Sequence, residues 1–181
     1  MQIGIDDFEE INGRFGLKCG DEILKQFSRC MQSCINENQK IYELGNGRFM
    51  IMDLANHTKE DILELYDELK KSVEVALEES DYRIVYTISV GIVEIDKEMK
   101  DYDTLIKYSD FALNEAKKKG KNSCYFFTQD KYKQFIRRRE IRVALQNAVD
   151  HNFKNFDVYY QPIIDIHTRN LIGAEALMRF K

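Results

Sequence analysis

Residues 41–52 read Ile-Tyr-Glu-Leu-Gly-Asn-Gly-Arg-Phe-Met-Ile-Met, a pattern typical of a β-hairpin. Two apolar runs flank Asn46-Gly47, and this dipeptide strongly favours a two-residue type I′ turn. Further segments rich in strand-forming residues lie at 1–5, 83–93 and 123–127. We therefore expect the hairpin to be part of a larger sheet.

Helical periodicity fills the intervals between these strands. Apolar residues recur at helical spacing over residues 8–15, 19–34, 62–76 and 105–116. Thr58 and Asp61 have the spacing of a capping box in front of the third helix. The order of strand, two helices, hairpin, helix, strand, helix and strand predicts an α+β architecture. We expect an antiparallel-containing sheet with the helices packed on one face.

A charged helix and a second pair of strands follow. Residues 129–150 read as an amphipathic helix that contains Arg137-Arg138-Arg139. We interpret this triplet as the solvated face of a connecting helix, with an anion site as the alternative. Residues 156–166 and 171–180 are strongly β in character, and a turn separates them.

Composition excludes several classes of function. The chain has 181 residues, a 44% apolar content and a net charge of −4. This length suits one domain and part of another, and the charge argues against a nucleic-acid partner. No apolar run is long enough to span a membrane. The four cysteines, Cys19, Cys30, Cys34 and Cys124, show no C-x-x-C spacing, and we expect free thiols in a bacterial cytoplasm.

Several short motifs, in order along the chain, resemble the GGDEF family of diguanylate cyclases. They are Asp6, Phe8, Asn12-Gly13, Gly16 and Gly20-Asp21, then Gly45 and Phe49, then residues 87–91, 112–117 and 120–122. The resemblance implies the palm fold of nucleotide cyclases, which has a central, mostly antiparallel sheet flanked by helices.

The residues that would make such a domain a cyclase are missing. The motif that names the family falls on Gly45, Asn46, Gly47, Arg48 and Phe49, so glycine and arginine stand at its acidic positions. The family's metal ligands map to the side chains of Gly4 and Gly47 and to the carbonyl of Ile5. Because Mg²⁺ needs carboxylates in such sites, we expect neither a metal site nor cyclase activity. A residual cyclase that uses Asp6 or Asp7 instead is the alternative.

The residues that resemble the family's nucleotide contacts remain in place. Asn12 and Asp21 match its guanine contacts, since an amide and a carboxylate can pair with the guanine edge. Lys117 and Lys121 match its phosphate contacts. The structural alternatives are helix capping for the first pair and a solvated helix end for the lysines. GTP is thus an expected partner, although feedback binding of cyclic di-GMP through an Arg-x-x-Asp motif is not, because Asn36 and Gln39 replace its charged residues.

The last part of the chain resembles the opening of an EAL domain, the family that hydrolyses cyclic di-GMP in a modified TIM barrel. The matching stretches are Tyr-Gln-Pro-Ile-Ile-Asp at 160–165 and Gly-Ala-Glu-Ala-Leu-Met-Arg at 173–179. The resemblance implies that Glu175 is a metal ligand, Arg179 a phosphate contact and Gln161 a further site residue. Since the family's other acids, its asparagine and its lysine come from later strands, we expect no catalysis from this fragment. Mg²⁺ or Mn²⁺ is expected only in an intact EAL domain.

These expectations combine into one organisation. Residues 1–127 form a degenerate, N-terminally incomplete GGDEF domain, residues 128–152 a linker helix, and residues 153–181 the truncated start of an EAL domain with its opening β-hairpin. The expected function is a catalytically inactive module that regulates an adjoining EAL phosphodiesterase in a cyclic di-GMP signalling protein. The alternative is a structural module that forms a homodimer and binds no nucleotide.

Overall fold

The computed structural model describes residues 1–55, 57–78, 84–95, 99 and 101–181. Within them the chain forms two compact units, Met1–Thr128 and Gln129–Lys181. The first unit contains β1 (Gln2–Ile5), α1 (Phe8–Phe15), α2 (Leu17–Cys34), β2 (Gln39–Gly45), β3 (Arg48–Asp53), α3 (Lys59–Glu78), β4 (Ile88–Ile92), α4 (Tyr102–Lys118) and β5 (Cys124–Phe126). The second contains α5 (Gln129–Asp150), β6 (Phe156–Ile164) and β7 (Leu171–Phe180).

The first unit is built on a five-stranded sheet in the order β2-β3-β1-β4-β5. The pairs β2–β3, β3–β1 and β1–β4 are antiparallel, and β4–β5 is parallel. Ile3 at the centre lies opposite Phe49 on one side and Val90 on the other. The predicted α+β fold is confirmed, with a mixed central sheet.

Helices cover both faces of this sheet, because side chains alternate between faces along a strand. Ile3 and Ile5 on β1 belong to the main core cluster, together with residues of α1, α2 and α3 such as Phe27 and Leu69. Gln2 points the other way, where its Nε2 donates a hydrogen bond of 2.7 Å to Asp110 on α4. The expectation that all helices share one face is therefore wrong.

Local sequence signals explain where several elements begin. The capping box before α3 is confirmed, because the amide of Asp61 donates to Thr58 Oγ1 and the amide of Thr58 to the Asp61 carboxylate. Asp101 caps α4 by accepting from the amide of Thr104 at 2.6 Å. Strand β4 is shorter than the expected 83–93, and residue 83 lies outside the described residues.

The second unit consists of α5 and an antiparallel hairpin of β6 and β7. The turn between the strands is closed by Asp165, which accepts from the amide of Arg169 through its carbonyl and from the amide of His167 through its carboxylate. The arginine triplet of α5 is exposed, as a solvated helix face should be. Among the described residues, no helix is both long and apolar enough to cross a membrane.

Candidate functional site

The hairpin turn at Asn46-Gly47 lies beside the end of β1. Asn46 and Gly47 have φ values of 52° and 70°, and Gly45 pairs with Arg48, so the type I′ turn is confirmed. The carbonyl of Gly47 accepts from the amide of Ile5 at 2.9 Å. This contact fixes the turn against the strand that carries Gly4.

Gly47 has no room for a side chain. A Cβ built on it would lie 2.7 Å from Cγ and 2.8 Å from Cδ1 of Phe8, in addition to the strain of a positive φ. Phe8 is buried in the main core cluster and cannot easily yield. Packing against Phe8 and the positive φ therefore both disfavour an acidic side chain at this position.

Arg48 at the other acidic position of the motif is tied to α4. Its Nη1 lies 3.3 Å from Oδ1 of Asp110, the same oxygen that accepts from Gln2. Both partners of this ion pair are partly exposed, so the pair contributes about 1 kcal/mol at most. Arg48 therefore connects the hairpin turn to a carboxylate of α4.

Gly4 adjoins the side chain of Lys117, which reaches across from α4. A Cβ on Gly4 would lie 3.0 Å from Lys117 Nζ and 3.2 Å from Cδ2 of Leu113. The same ammonium donates to the carbonyl of Ile5 at 3.3 Å and lies 4.0 Å from Oδ1 of Asp6. A lysine ammonium group thus lies beside Gly4 and the Ile5 carbonyl, two of the three positions that the resemblance relates to a metal site.

Asp6 is a structural carboxylate. It is 3% exposed, and its oxygens accept from Thr87 Oγ1 at 2.7 Å, from Ser89 Oγ at 2.8 Å and from the amide of Asn122 at 3.1 Å. These bonds tie the end of β1 to β4 and to the loop before β5. Because it is buried and both of its oxygens already accept hydrogen bonds, Asp6 is a poor substitute for a metal ligand.

Asp7 is exposed but is bound to a lysine. Lys121 Nζ donates to both of its carboxylate oxygens, at 2.6 and 2.7 Å. The hydrogen bond to Asp7 raises the pKa of Lys121 above its ordinary value. Lys121 must leave Asp7, or share it, before it can contact a phosphate.

Asn12 and Asp21 sit on α1 and α2. The N-caps of these helices are Asp7 and Gly16, neither with a side-chain capping bond, so the capping alternative for Asn12 and Asp21 is wrong. The Asn12 amide lies against Gly20, where a Cβ would be 1.8 Å from its Oδ1, and this buried oxygen has no hydrogen-bond partner among the described residues. Asp21 is exposed. The missing side chain of Gly20 thus lets Asn12 approach the backbone next to Asp21.

The structure gathers the candidate residues of the first unit into two groups. Lys117 and Lys121 lie at the end of β1, where they contact residues 5–7. In the second group, the Asn12 side chain lies against Gly20, the residue that precedes Asp21 in the sequence. Sequence reasoning missed the contacts that Asp110, Thr87 and Ser89 make, because each lies more than 60 positions from the residue it binds and no spacing encodes such a pairing.

The donor set at the end of β1 does not fit a divalent cation. Its two glycines provide no side-chain ligand, its buried carboxylate already accepts three hydrogen bonds, and an ammonium group already contacts its carbonyl. Among the described residues, no group of three or more His, Cys, Asp or Glu side chains is placed to hold a metal ion.

The candidate residues of the second unit share one face of its hairpin. Gln161 and Glu175 lie directly opposite each other, and Arg179 lies opposite Asp157 on the same face. All three candidate side chains are exposed. Arg179 donates to the carbonyl of Met178 at 3.0 Å, and Asp157 forms an ion pair with Lys181.

Comparison with known proteins identifies the first unit. The family described as diguanylate cyclase, GGDEF domain, matches residues 1–123. The chain belongs to the GGDEF family. The GGDEF domain of TpbB (YfiN) from Pseudomonas aeruginosa has the same fold, with a TM-score of 0.64 and 20% identity over 74% of this chain and 78% of that one.

Two further proteins are similar to this GGDEF chain over its whole length. The cyclic di-GMP phosphodiesterase PdeR of Escherichia coli is 26% identical over 187 residues, which cover 100% of this chain and 27% of PdeR. The S helix-GGDEF-EAL structure of LapD from Vibrio cholerae has a TM-score of 0.53 at 16% identity and covers 99% of this chain and 42% of that one. The chain spans about a quarter of the length of the curated relatives it matches.

Proposed function

We propose that this chain is a non-catalytic GGDEF module that binds GTP weakly, without a metal ion, and regulates an adjoining EAL phosphodiesterase. The observation that carries the proposal is the contact of Lys117 with the Ile5 carbonyl, in the space that the missing side chain of Gly4 leaves open. Transfer of a nucleotidyl group depends on electrostatic stabilisation by cations held between protein carboxylates and phosphates. A lysine ammonium group in this place supplies a positive charge, but it cannot coordinate phosphate oxygens as a metal ion does, and it does not activate the attacking hydroxyl.

The contacts of Asp6 and Asp7 argue against a residual cyclase. Asp6 would have to release three donors, and one of them, Ser89, is fully buried. Asp7 would have to release Lys121 and, with φ at 56°, leave a left-handed conformation to turn toward Gly4. Two such rearrangements for one metal ion make this alternative the weaker one.

GTP binding is supported by the positions of Asn12 and Asp21. Neither side chain caps a helix, Asp21 is exposed, and the Asn12 oxygen is unpaired within the described part of the chain. The triphosphate would contact Lys117 and Lys121 only, and Lys121 would have to exchange Asp7 for phosphate. Loss of an exposed ion pair costs about 1 kcal/mol or less, so this exchange reduces the affinity without preventing binding.

Calorimetric titration with GTP, in Mg²⁺ and in EDTA, tests the proposal. We expect weak binding of equal affinity in both buffers and a preference for GTP over ATP. Asp21→Ala should abolish that preference, whereas Glu22→Ala, which removes an exposed carboxylate one position away, should leave it unchanged. Tight binding that EDTA abolishes would contradict the metal-free site.

A purely structural module is the second candidate, and one observation favours it. Lys117 and Lys121 both have partners in their own chain, so the phosphate site is self-neutralised. Absence of any heat with GTP in either buffer would support this candidate over nucleotide binding.

The place of this module in a longer protein rests on the second unit. We propose that Gln129–Asp150 is a linker helix and that the following hairpin opens an EAL domain, with Glu175 as a ligand for Mg²⁺ or Mn²⁺, Arg179 as a phosphate contact and Gln161 opposite Glu175. Their common face and the name of PdeR as a phosphodiesterase support this assignment. The fragment should not hydrolyse cyclic di-GMP, since a TIM barrel assembles its site from several strands. A full-length protein with the complete barrel should do so.

A further inference from the structure

The side chain of Lys117 lies directly against Gly4, although nothing in the backbone of β1 requires a glycine at this position. Gly4 lies on β1 between Arg48 and Ser89 of the neighbouring strands and has no positive φ, so its backbone does not need a glycine. The space in front of it is filled by α4 side chains, since an added Cβ would lie 3.0 Å from Lys117 Nζ, 3.1 Å from Lys117 Cε and 3.2 Å from Leu113 Cδ2, so that a larger residue would have to displace them.

The contact of Lys117 with the end of β1 joins two parts of the chain that are distant in sequence. It lies 112 positions from Ile5 along the chain, on α4, yet its ammonium group is directed at the carbonyl that ends β1 rather than at solvent. Its neighbour Lys118 shows the ordinary behaviour of a lysine on this helix, since it is 62% exposed and ion-paired with Glu115 one turn away. The Lys117 side chain is 32% exposed.

Charge explains why an ammonium group is stable there. Asp6 is a buried carboxylate that accepts from neutral donors, and the nearby ammonium supplies an opposite charge at 4.0 Å. A buried carboxylate without a counter-charge is costly. Lys117 therefore satisfies both a strand-end carbonyl and the charge of a buried acid.

We propose that Lys117 is a built-in cation that has taken over the divalent-metal position of this GGDEF domain, with Gly4 as the residue that makes room for it. The ammonium contacts the carbonyl and lies near the carboxylate, as a metal ion would, but its charge is fixed to the protein and repels a second cation. The site thus disfavours a divalent cation and favours oxyanions, such as the phosphates of a metal-free nucleotide.

The test introduces a carboxylate at position 4, with and without Lys117. It measures Mn²⁺ binding by the electron paramagnetic resonance spectrum of free Mn²⁺ and by thermal unfolding. Gly4→Asp should bind no Mn²⁺, because the new carboxylate pairs with Lys117. Gly4→Asp combined with Lys117→Met should bind Mn²⁺ weakly, through the new carboxylate and the Ile5 carbonyl, and should unfold at a slightly higher temperature when Mn²⁺ is present. Gly4→Asp combined with Lys118→Met is the matched control, because it loses one lysine of the same helix and should behave like Gly4→Asp alone.

Equal Mn²⁺ binding by Gly4→Asp with and without Lys117 would overturn the proposal, as would no binding by the folded double variant. If the Gly4→Asp proteins do not fold, the single variants decide. Lys117→Met should lower the unfolding temperature by about 5 °C more than Lys118→Met, because it leaves a carbonyl and a buried acid without their cation. Equal effects of the two would refute the special role of Lys117. No nucleotide is used, so failure of GTP binding and failure of this proposal are separate results.

Discussion

The hairpin turn offers a direct test of whether this domain could ever have carried an acid at position 47. Gly47→Ala adds one Cβ, which would lie 2.7 Å from Cγ of Phe8, and the alanine would have to adopt a φ of 70°. The left-handed conformation costs about 1–2 kcal/mol. Forcing an atom into a packed core costs about 1–3 kcal/mol more. We therefore expect a total destabilisation of roughly 2–5 kcal/mol.

Gly45→Ala is the matched control in the same turn. Gly45 has a φ of 82°, and an added Cβ meets nothing within 4 Å, so only the backbone strain applies. The difference between the two variants isolates the contact with Phe8 and should be about 1–3 kcal/mol, or roughly 2–12 °C in unfolding temperature. Thermal unfolding followed by circular dichroism measures it. Equal unfolding temperatures for the two variants would refute the argument that packing excludes an acid from this turn.

Further substitutions test other parts of the structure. Asp6→Ala should destabilise the fold by about 3 kcal/mol, because it leaves buried donors unpaired, while Asp7→Ala should cost under about 1 kcal/mol as the loss of an exposed pair; chemical denaturation of both compares them. Tyr66→Phe should stabilise the protein by about 1 kcal/mol, because the Tyr66 hydroxyl is buried with no hydrogen-bond partner among the described residues. Burial raises the pKa of Tyr66 to about 12, so stability should fall as pH rises from about 10 toward that value, and Tyr66→Phe should reduce this loss. The exposed apolar residues of β6 and β7 should make the full chain dimerise, whereas a chain that ends at Asp150 should stay monomeric in light scattering; two monomers would contradict this.

The local elements could be predicted from sequence because their signals are local. Asn46-Gly47 fixed the turn type, the spacing of Thr58 and Asp61 fixed a helix start, and the composition shift after Thr128 marked α5. The two-sided covering of the sheet could not be predicted. It depends on the side of β1 against which α4 packs, and both the buried Gln2 and Gly4 on that side look unremarkable in the sequence.

The sequence indicates which residues belong to the candidate site, but it does not indicate which residues they contact. The sequence predicts Lys117 and Lys121 as phosphate contacts or as a solvated helix end, and the structure adds that they contact Ile5 and Asp7 at the end of β1. These contacts join residues more than 110 positions apart, and no periodicity or spacing encodes such a pairing. The sequence shows that Gly4 and Gly47 offer no carboxylate, but only the structure shows that Lys117 and Phe8 lie where their side chains would be.

The most direct test of the account is incubation of the purified chain with GTP and either Mg²⁺ or Mn²⁺, followed by chromatographic separation of the nucleotides. An active GGDEF cyclase under the same conditions is the positive control. The absence of a carboxylate at Gly4 and Gly47 predicts no cyclic di-GMP above a blank without protein, at any concentration of metal. Cyclic di-GMP formed by the wild-type chain and abolished by Asp6→Asn or Asp7→Asn would contradict the central claim that this domain has lost its catalytic metal.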